Sequence, residues 1–217
     1  MKQFLILILI FFSAFEMKAQ RDYESPNAKQ KVLSHKNFAI VPFNFKVTGR
    51  KPRKMTQEEY ERNILNAEKD ARLSCQAEFA SRILKKLQKG KIVSQLQPVA
   101  RTNALLSRAG ITSEDLESSK YLPEELCEIL EVDAVVLGSV ESSKLLSTGA
   151  SIGLAIIGLN ATSGKSSADL SLYDKDAELL WSWSTRELKT SSIGSDTQSL
   201  IDYLMKRATK KFPYFQR

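Results

Sequence analysis

Residues 122–140, with the sequence LPEELCEILEVDAVVLGSV, constrain the fold more than any other part of the chain. They predict a helix that runs directly into a buried strand. Pro123 suits the first helical turn, where its missing N–H costs nothing. Apolar residues then recur on one helical face: Leu126, Ile129 and Leu130. The following AVVL is apolar on both faces, as a central strand must be. Gly138 comes next, and a glycine inside a strand indicates that a neighbouring group approaches the backbone closely.

The chain before this unit predicts a strand and a long helix. Residues 38–43 form an apolar run, and Pro42 should end or interrupt that strand because proline has no N–H for the sheet ladder. Thr56 and Glu59 have the spacing of a capping box at the start of a helix. Apolar residues return to one face of the helix up to Gly90, which suits the left-handed position after a helix end. We therefore expect an amphipathic helix that covers a sheet.

The chain after this unit predicts a hairpin and a last helix. Residues 168–173 alternate between apolar and polar side chains, and a matching strand begins at Leu179, which predicts two antiparallel strands. Residues 196–211 carry an apolar helical stripe. Together these patterns predict an α/β fold at residues 38–217: one three-layer-like domain in which a long helix covers a mixed sheet of about five strands, with a β-hairpin and a C-terminal helix.

The first nineteen residues have the layout of a secretory signal peptide. Lys2 precedes an apolar run, and a small residue, Ala19, precedes the expected cleavage at Gln20. An uncleaved anchor is the alternative, but a spanning helix needs about 20 apolar residues. Neither cysteine is near the cleavage site, so we expect a periplasmic or cell-envelope protein without a lipid anchor. Residues 20–37 are polar and predict a flexible lead-in.

The two cysteines, Cys75 and Cys127, lie in helical patterns. An oxidising compartment would allow them to form a disulfide. Two separate buried thiols are the equally weighted alternative. The spacing of the two residues does not match a zinc site.

The charge of +7, or +6 without residues 1–19, limits the choice of partners. In an exported protein this charge favours anionic envelope polymers or lipid head groups over nucleic acid. Solubility alone is the simpler explanation of this charge.

We find no catalytic motif in the sequence. His35 is the single histidine, which excludes Ser-His and Cys-His nucleophilic sites and any multi-histidine metal site. The sequence SGKS at 163–166 lacks the first glycine of a phosphate loop, because residue 159 is leucine. Asp174 and Asp176 fit a hairpin turn better than a cation site. We therefore expect no enzyme activity, no cofactor, no metal and no small-molecule substrate.

An apolar insertion interrupts the pattern at residues 141–167. Its middle is too short and too rich in glycine for a membrane-spanning helix. Burial in the core of the domain is one interpretation, and a contact with a partner, a second copy or a membrane surface is the other. If the segment is a contact, we expect a partner or self-association before membrane insertion, and these residues would carry it: Ile152, Leu154, Ile156, Ile157 and Leu159.

Several of these motifs together resemble a known group of envelope proteins. The sequence IVPF at 40–43 is followed by a long helix and then by ELCEILEVDAVVLGSV at 125–140, and LYD at 172–174 and LLW at 179–181 follow in the hairpin. This arrangement resembles the periplasmic domain of the curli secretion channel (CsgG) family. It is similar to the LpoB-type lipoprotein activators of penicillin-binding proteins and to the amino-terminal domain of TolB. The resemblance covers residues 38–212.

The resemblance implies a non-enzymatic envelope component that works by binding or assembly. An oligomeric, membrane-associating secretion element and a regulator of peptidoglycan synthesis are the alternatives it implies. Channel subunits of the curli type carry a lipidated cysteine and two membrane hairpins, whereas here only the insertion could face a membrane. We therefore expect an envelope protein or a second copy as the partner, with peripheral membrane contact as the alternative.

Overall fold

The computed structural model describes residues 22–48, 51, 53, 55–92, 94–143, 165–189 and 197–215. Its strands are β1 (Asp22–Glu24), β2 (Asn37–Ile40), β3 (Asn44–Val47), β4 (Gln95–Leu96), β5 (Ala134–Ser142), β6 (Lys165–Asp174) and β7 (Leu179–Lys189). Its helices are α1 (Ala28–Ser34), α2 (Gln57–Leu87), α3 (Val99–Arg108), α4 (Ser113–Glu117), α5 (Pro123–Leu130) and α6 (Thr197–Lys211). None of the helices in this described part has the length and apolar content needed to cross a membrane.

The strands form one mixed sheet in the order β1-β7-β6-β5-β2-β4, and β3 pairs with the second half of β5. Strand β5 is parallel to β2 and β3 and antiparallel to β6, and β6 is antiparallel to β7. The predicted mixed α/β fold, with its long helix, hairpin and C-terminal helix, is confirmed. The sheet has seven strands in the described residues, whereas the sequence predicted about five, because β1, β3 and β4 are only two to four residues long.

The first predicted strand is interrupted at Pro42, as expected. Ile40 pairs with Val136 and Asn44 pairs with Ser139, so residues 41–43 face only two residues of β5. The extra residue separates β2 from β3. A Cβ atom on Gly138 would lie 2.8 Å from two ring carbons of Phe43, which explains the glycine in the middle of β5.

One face of the sheet packs against α2 and α6. Buried apolar residues of α6 follow the predicted stripe: Leu200, Ile201, Leu204, Met205 and Ala208. From α2, Phe79 and Ile83 are buried in the same cluster. Phe212, after α6, packs edge-on against Trp181 and Phe79, with ring centroids 5.5 and 5.3 Å away. Burying side chains of this size contributes about 1.5–3 kcal/mol each, so this face holds most of the core.

Helices α3 and α5 cover the opposite face, and they cover it only in part. Leu106 of α3 and Leu126 of α5 pack over Ala39 and Val135 in a second buried cluster. Further along the same face, Ser139 and Ser171 are half-buried and Asp169 is exposed. The uncovered part of this face forms one wall of the cleft described below.

The segment at residues 20–37, predicted as a flexible lead-in, contains β1 and α1 over its described part. Helix α1 buries Ala28 and Val32 in the main core. Its Lys31 Nζ donates to Asp174 Oδ2 at 2.5 Å and lies 2.7 Å from Glu178 Oε2. The prediction was wrong here because two buried side chains and one lysine are too few to produce a recognisable apolar period.

The two cysteines are free and buried on opposite faces of the sheet. Cys75 of α2 belongs to the main core and Cys127 of α5 to the second cluster. The structure therefore has two separate thiols and no disulfide. Both helices do cover the same sheet, but the sheet itself separates the two sulfur atoms.

Candidate binding cleft

A cleft of about 390 Å³ lies where the second face of the sheet is uncovered. The interrupted segment at 41–43 and the start of β3 form one side, and α4 with the first turn of α5 forms another. Strands β5 and β6 form the floor. Its volume is within the usual range of ligand sites, about 300–1,000 Å³. The lining residues used in the argument below are Asn44, Arg72, Glu117, Leu137, Ser139 and Asp169.

The break between β2 and β3 places Asn44 at the cleft. Its Oδ1 atom is buried and has no hydrogen-bond partner among the described residues. A buried polar atom without a partner costs about 1–3 kcal/mol. Such atoms are uncommon in folded proteins.

A second buried polar atom without a partner belongs to a residue that lines the same cleft. Arg72 of α2 forms an ion pair with Glu117 of α4, and the two side chains are 12% and 23% exposed. The pair fixes the guanidinium, whose Nε–H is buried and lacks a hydrogen-bond acceptor in the described part of the chain. Both atoms have almost no accessible surface, so protein covers them and they are not open to a ligand in the cleft.

Asp169 on β6 supplies the remaining charge among the lining residues. Its cross-strand neighbours on this face are Ser139 and Ser184. Burial raises the pKa of Asp169, and the positive charge of Arg186 acts in the opposite direction. Neither a hydrogen bond nor an ion pair to Asp169 is formed within the described ranges. Its carboxylate is thus available to a ligand.

The rest of the lining is largely apolar. Leu126 is buried beneath the cleft, while Leu137 and Tyr173 are half-buried at its floor. Leu122 on the rim is 54% exposed and adds apolar surface beside the opening. Val41 and Pro42 complete the apolar side. A ligand would meet an apolar surface with a few fixed polar groups.

The histidine and the two thiols of the chain do not line the cleft. His35 Nδ1 is 2.6 Å from Tyr214 Oη, and Tyr214 belongs to the main core. Burial raises the pKa of Cys75 strongly and that of Cys127 to about 12, so neither thiol ionises readily. In the described part of the chain, histidine, cysteine and acidic side chains form no group of three that could hold a metal ion.

The residues singled out from sequence do not line this cleft. Cys75 and Cys127 are core residues, and Ile152, Leu154, Ile156, Ile157 and Leu159 lie outside the described residues. Sequence reasoning missed Asn44, Arg72 and Glu117, which are far apart in the chain. A signal did exist for Asp169: it belongs to the polar face of the predicted alternation at 168–173.

Comparisons with known proteins give only distant similarities. No protein-family model matches the sequence, and no curated protein matches it. Among solved structures, the chain is similar to a PelC dodecamer from Paraburkholderia phytofirmans (TM-score 0.43, 15% identity, 91% of this chain and 97% of that one). It is also similar to lipoprotein GNA1162 from Neisseria meningitidis (0.42, 17%, 81% and 95%) and to the LpoB C-terminal domain from Salmonella enterica (0.31, 9%, 69% and 80%).

The similar structures include the LpoB C-terminal domain, from one of the groups that the sequence motifs resemble. The resemblance to the curli secretion channel family stays a prediction. All three TM-scores are below 0.5, so the function has to be argued from the residues of this chain.

Proposed function

We propose that this protein is an exported, non-enzymatic envelope protein that acts by binding another protein through the cleft. The observation that carries the proposal is the cleft of about 390 Å³ on the uncovered part of the sheet face, which places the exposed carboxylate of Asp169 beside apolar side chains. A bound partner would cover the half-buried floor residues Leu137 and Tyr173.

The other parts of the proposal rest on sequence. Export follows from the signal-peptide pattern at residues 1–19, and the absence of a lipid anchor stays a prediction. The non-enzymatic assignment rests on the single histidine, His35, and on thiols that burial keeps protonated. Regulation of peptidoglycan synthesis, which the LpoB-type resemblance implies, would be one specific form of this binding role.

The second candidate function is an oligomeric secretion or assembly element, and the apolar insertion favours it. Leaving its large apolar side chains in water, rather than burying them, would cost about 1.5–3 kcal/mol each. These side chains are Ile152, Leu154, Ile156, Ile157 and Leu159. A second copy of the chain, or a membrane surface, could cover them. The structure describes neither these residues nor their surroundings, so this candidate rests on composition.

The test compares two serine-to-arginine variants at half-buried positions. Ser139 lines the cleft, whereas Ser81 lies on α2 outside its lining. Purified full-length protein is immobilised and incubated with envelope extract, and bound proteins are identified by mass spectrometry. We expect the wild type and Ser81→Arg to retain the same protein and Ser139→Arg to lose it. Equal retention by Ser139→Arg would show that binding does not use the cleft.

A further inference from the structure

A groove of about 200 Å³ lies between α1 and the four residues that follow α6. Val32 and Phe212 are buried in its lining, and Phe215 is half-buried along its side. Leu33 of α1 also lines it and is 59% exposed. The residues that line this groove are different from those that line the cleft, so it is a separate surface with an apolar interior.

Lysine side chains border this groove on several sides. Lys29 of α1 and Lys211 of α6 are among its lining residues. The Nζ atom of Lys86, in the last turn of α2, lies 5.5 Å from the centre of the Phe215 ring. This contact places the end of α2 beside the end of α6. The cations of both helix ends therefore lie next to the groove.

The two helix ends are strongly positive. Residues 83–91 and 203–215 contain eight lysine and arginine residues and neither aspartate nor glutamate. Two acidic residues are near: Glu24 lines the groove, and Asp22 lies 3.7 Å from Lys211. Within the described ranges, Lys211 is the member of the eight that forms an ion pair. Together with the groove, the eight form what we call the basic surface; they are Lys85, Lys86, Lys89, Lys91, Lys206, Arg207, Lys210 and Lys211.

The combination of charge and exposed apolar surface indicates the kind of partner. An acidic polymer in water would pair with the lysines, but it offers nothing apolar to cover Leu33. A membrane that contains anionic phospholipid offers both, because its phosphates attract lysine and arginine and its acyl boundary accepts apolar side chains. Cations in the last turn of a helix also complement the helix dipole, but that role requires no exposed leucine beside them.

We propose that the basic surface docks this protein on a membrane that contains anionic phospholipid. The lysines and Arg207 contact the phosphates, while Leu33 and Phe215 reach the boundary between the head groups and the acyl chains. This contact is independent of protein binding at the cleft, which uses other residues.

Vesicle flotation tests the electrostatic part. Protein purified after export is mixed with vesicles of phosphatidylcholine alone or of phosphatidylcholine with phosphatidylglycerol. We expect binding to the mixed vesicles only, and weaker binding as salt is added, because salt screens exposed charges. The double variant Lys89→Gln with Lys210→Gln should bind at least tenfold more weakly, since each lysine near an anionic surface contributes about fivefold. Lys69→Gln with Arg108→Gln removes the same charge from exposed positions outside the basic surface and should bind within about twofold of the wild type.

A fluorescent label tests the apolar part. Leu33 and Leu65 are 59% and 61% exposed, and Leu65 lies on α2 outside the groove. Each is replaced by cysteine and labelled with the polarity-sensitive dye NBD in the folded protein, where Cys75 and Cys127 are buried. When mixed vesicles are added, we expect a blue shift of the emission at position 33 and none at position 65. Leu33→Gln should also bind the vesicles several-fold more weakly than Leu65→Gln.

Several outcomes would overturn the proposal. Equal binding to both kinds of vesicle would do so, as would unchanged binding of the Lys89→Gln, Lys210→Gln variant. Binding that depends on these lysines without a blue shift at position 33 would identify an acidic polymer or protein as the partner. A blue shift that appears without vesicles as the protein concentration rises would show that a second copy covers the groove. None of these results depends on the cleft, which Ser139→Arg tests separately.

Discussion

The ring of Phe43 occupies the space that a side chain at residue 138 would need. An ideal Cβ on Gly138 would lie 2.8 Å from Cδ2 and Cε2 of this ring. Phe43 is 1% exposed and packs against Phe79 on the main core face, so it cannot move away at low cost. The contact connects the β2–β3 interruption to the centre of β5 and thereby holds one wall of the cleft.

We predict that Gly138→Ala destabilises the protein by about 1–3 kcal/mol, the usual cost of adding a methyl group to a packed core. Urea denaturation monitored by tryptophan fluorescence measures the change in unfolding free energy. The double variant Phe43→Leu with Gly138→Ala provides the control, since the smaller side chain makes room for the new methyl group. The double variant should be less destabilised than the sum of the single changes. A strictly additive result would mean that the ring is not the obstacle.

Local signals in the sequence predicted the parts of the fold that depend on local chemistry. Thr56 and Glu59 do form the capping box that opens α2. Gly90 does adopt a left-handed conformation, with φ of +65°. Pro123 is the first residue of α5, as its missing N–H suggested. Each of these features is decided by residues within one or two helical turns, and sequence therefore reveals it.

The cleft could not be predicted in the same way, because its polar pairs join distant parts of the chain. Arg72 and Glu117 meet only when α2 and α4 pack at the same edge of the sheet. The apolar period of α2 predicted which face is buried, but it carries no information on which polar side chain finds a partner. Similarly, nothing local in β3 indicates that Asn44 Oδ1 is buried without a partner among the described residues. Long-range packing decides both.

The second prediction concerns the docking of α1 onto the hairpin turn. Lys31 neutralises Asp174, a carboxylate that is 3% exposed and also accepts from the N–H groups of Asp176 and Glu178. We predict that Lys31→Met destabilises the protein by about 1–3 kcal/mol, because the charge of Asp174 stays buried without its cation. Lys29→Met, at an exposed position of the same helix, should leave the unfolding free energy within about 0.5 kcal/mol of the wild type. Equal effects of the two substitutions in thermal and urea unfolding would contradict this assignment.

The third prediction is a loss of stability below neutral pH that depends on His35. Burial lowers the pKa of His35 in the folded protein. The unfolded chain keeps the ordinary value of about 6.5, so it binds more protons than the folded chain below that pH. The contribution of His35 to stability should therefore be fully present above pH 6.5. The free energy of unfolding should decrease as the pH falls from 6.5 towards the pKa of His35 in the folded protein.

His35 is the single histidine of the sequence, which makes its contribution separable. Burial pushes the pKa of Asp133 upward, but hydrogen bonds from the N–H groups of Lys36 and Asn37 hold it below its usual value, so this neighbour titrates at lower pH. Urea denaturation at pH 7.5, 6.5 and 5.5 should show a decreasing unfolding free energy for the wild type. His35→Gln can still hydrogen bond to Tyr214 and should show a flatter profile. The same slope in both proteins would assign the effect to other groups.

The last prediction concerns the apolar insertion, whose two ends meet in the sheet. The N–H of Ser143 donates to the carbonyl oxygen of Lys165 at 2.9 Å, and the N–H of Lys165 donates to Ser143 Oγ at 2.8 Å. Strands β5 and β6 are paired in register up to Ser142 and Ser166. A two-residue turn of Asn-Gly can join strands at this separation. The residues between them are therefore not required to close the hairpin.

We predict that replacing residues 144–164 by Asn-Gly leaves the melting temperature within a few degrees of the wild type, since the paired strands keep their register. A matched full-length variant changes Ile152, Leu154, Ile156 and Leu159 to serine. If the insertion carries self-association, analytical ultracentrifugation should show that both variants lose an oligomer that the wild type forms, while both stay folded by circular dichroism. A large drop in melting temperature in both variants would instead place the apolar residues in the core of the domain. If both folded variants keep the oligomeric state of the wild type, the segment does not carry self-association, because the oligomer then persists without its apolar side chains.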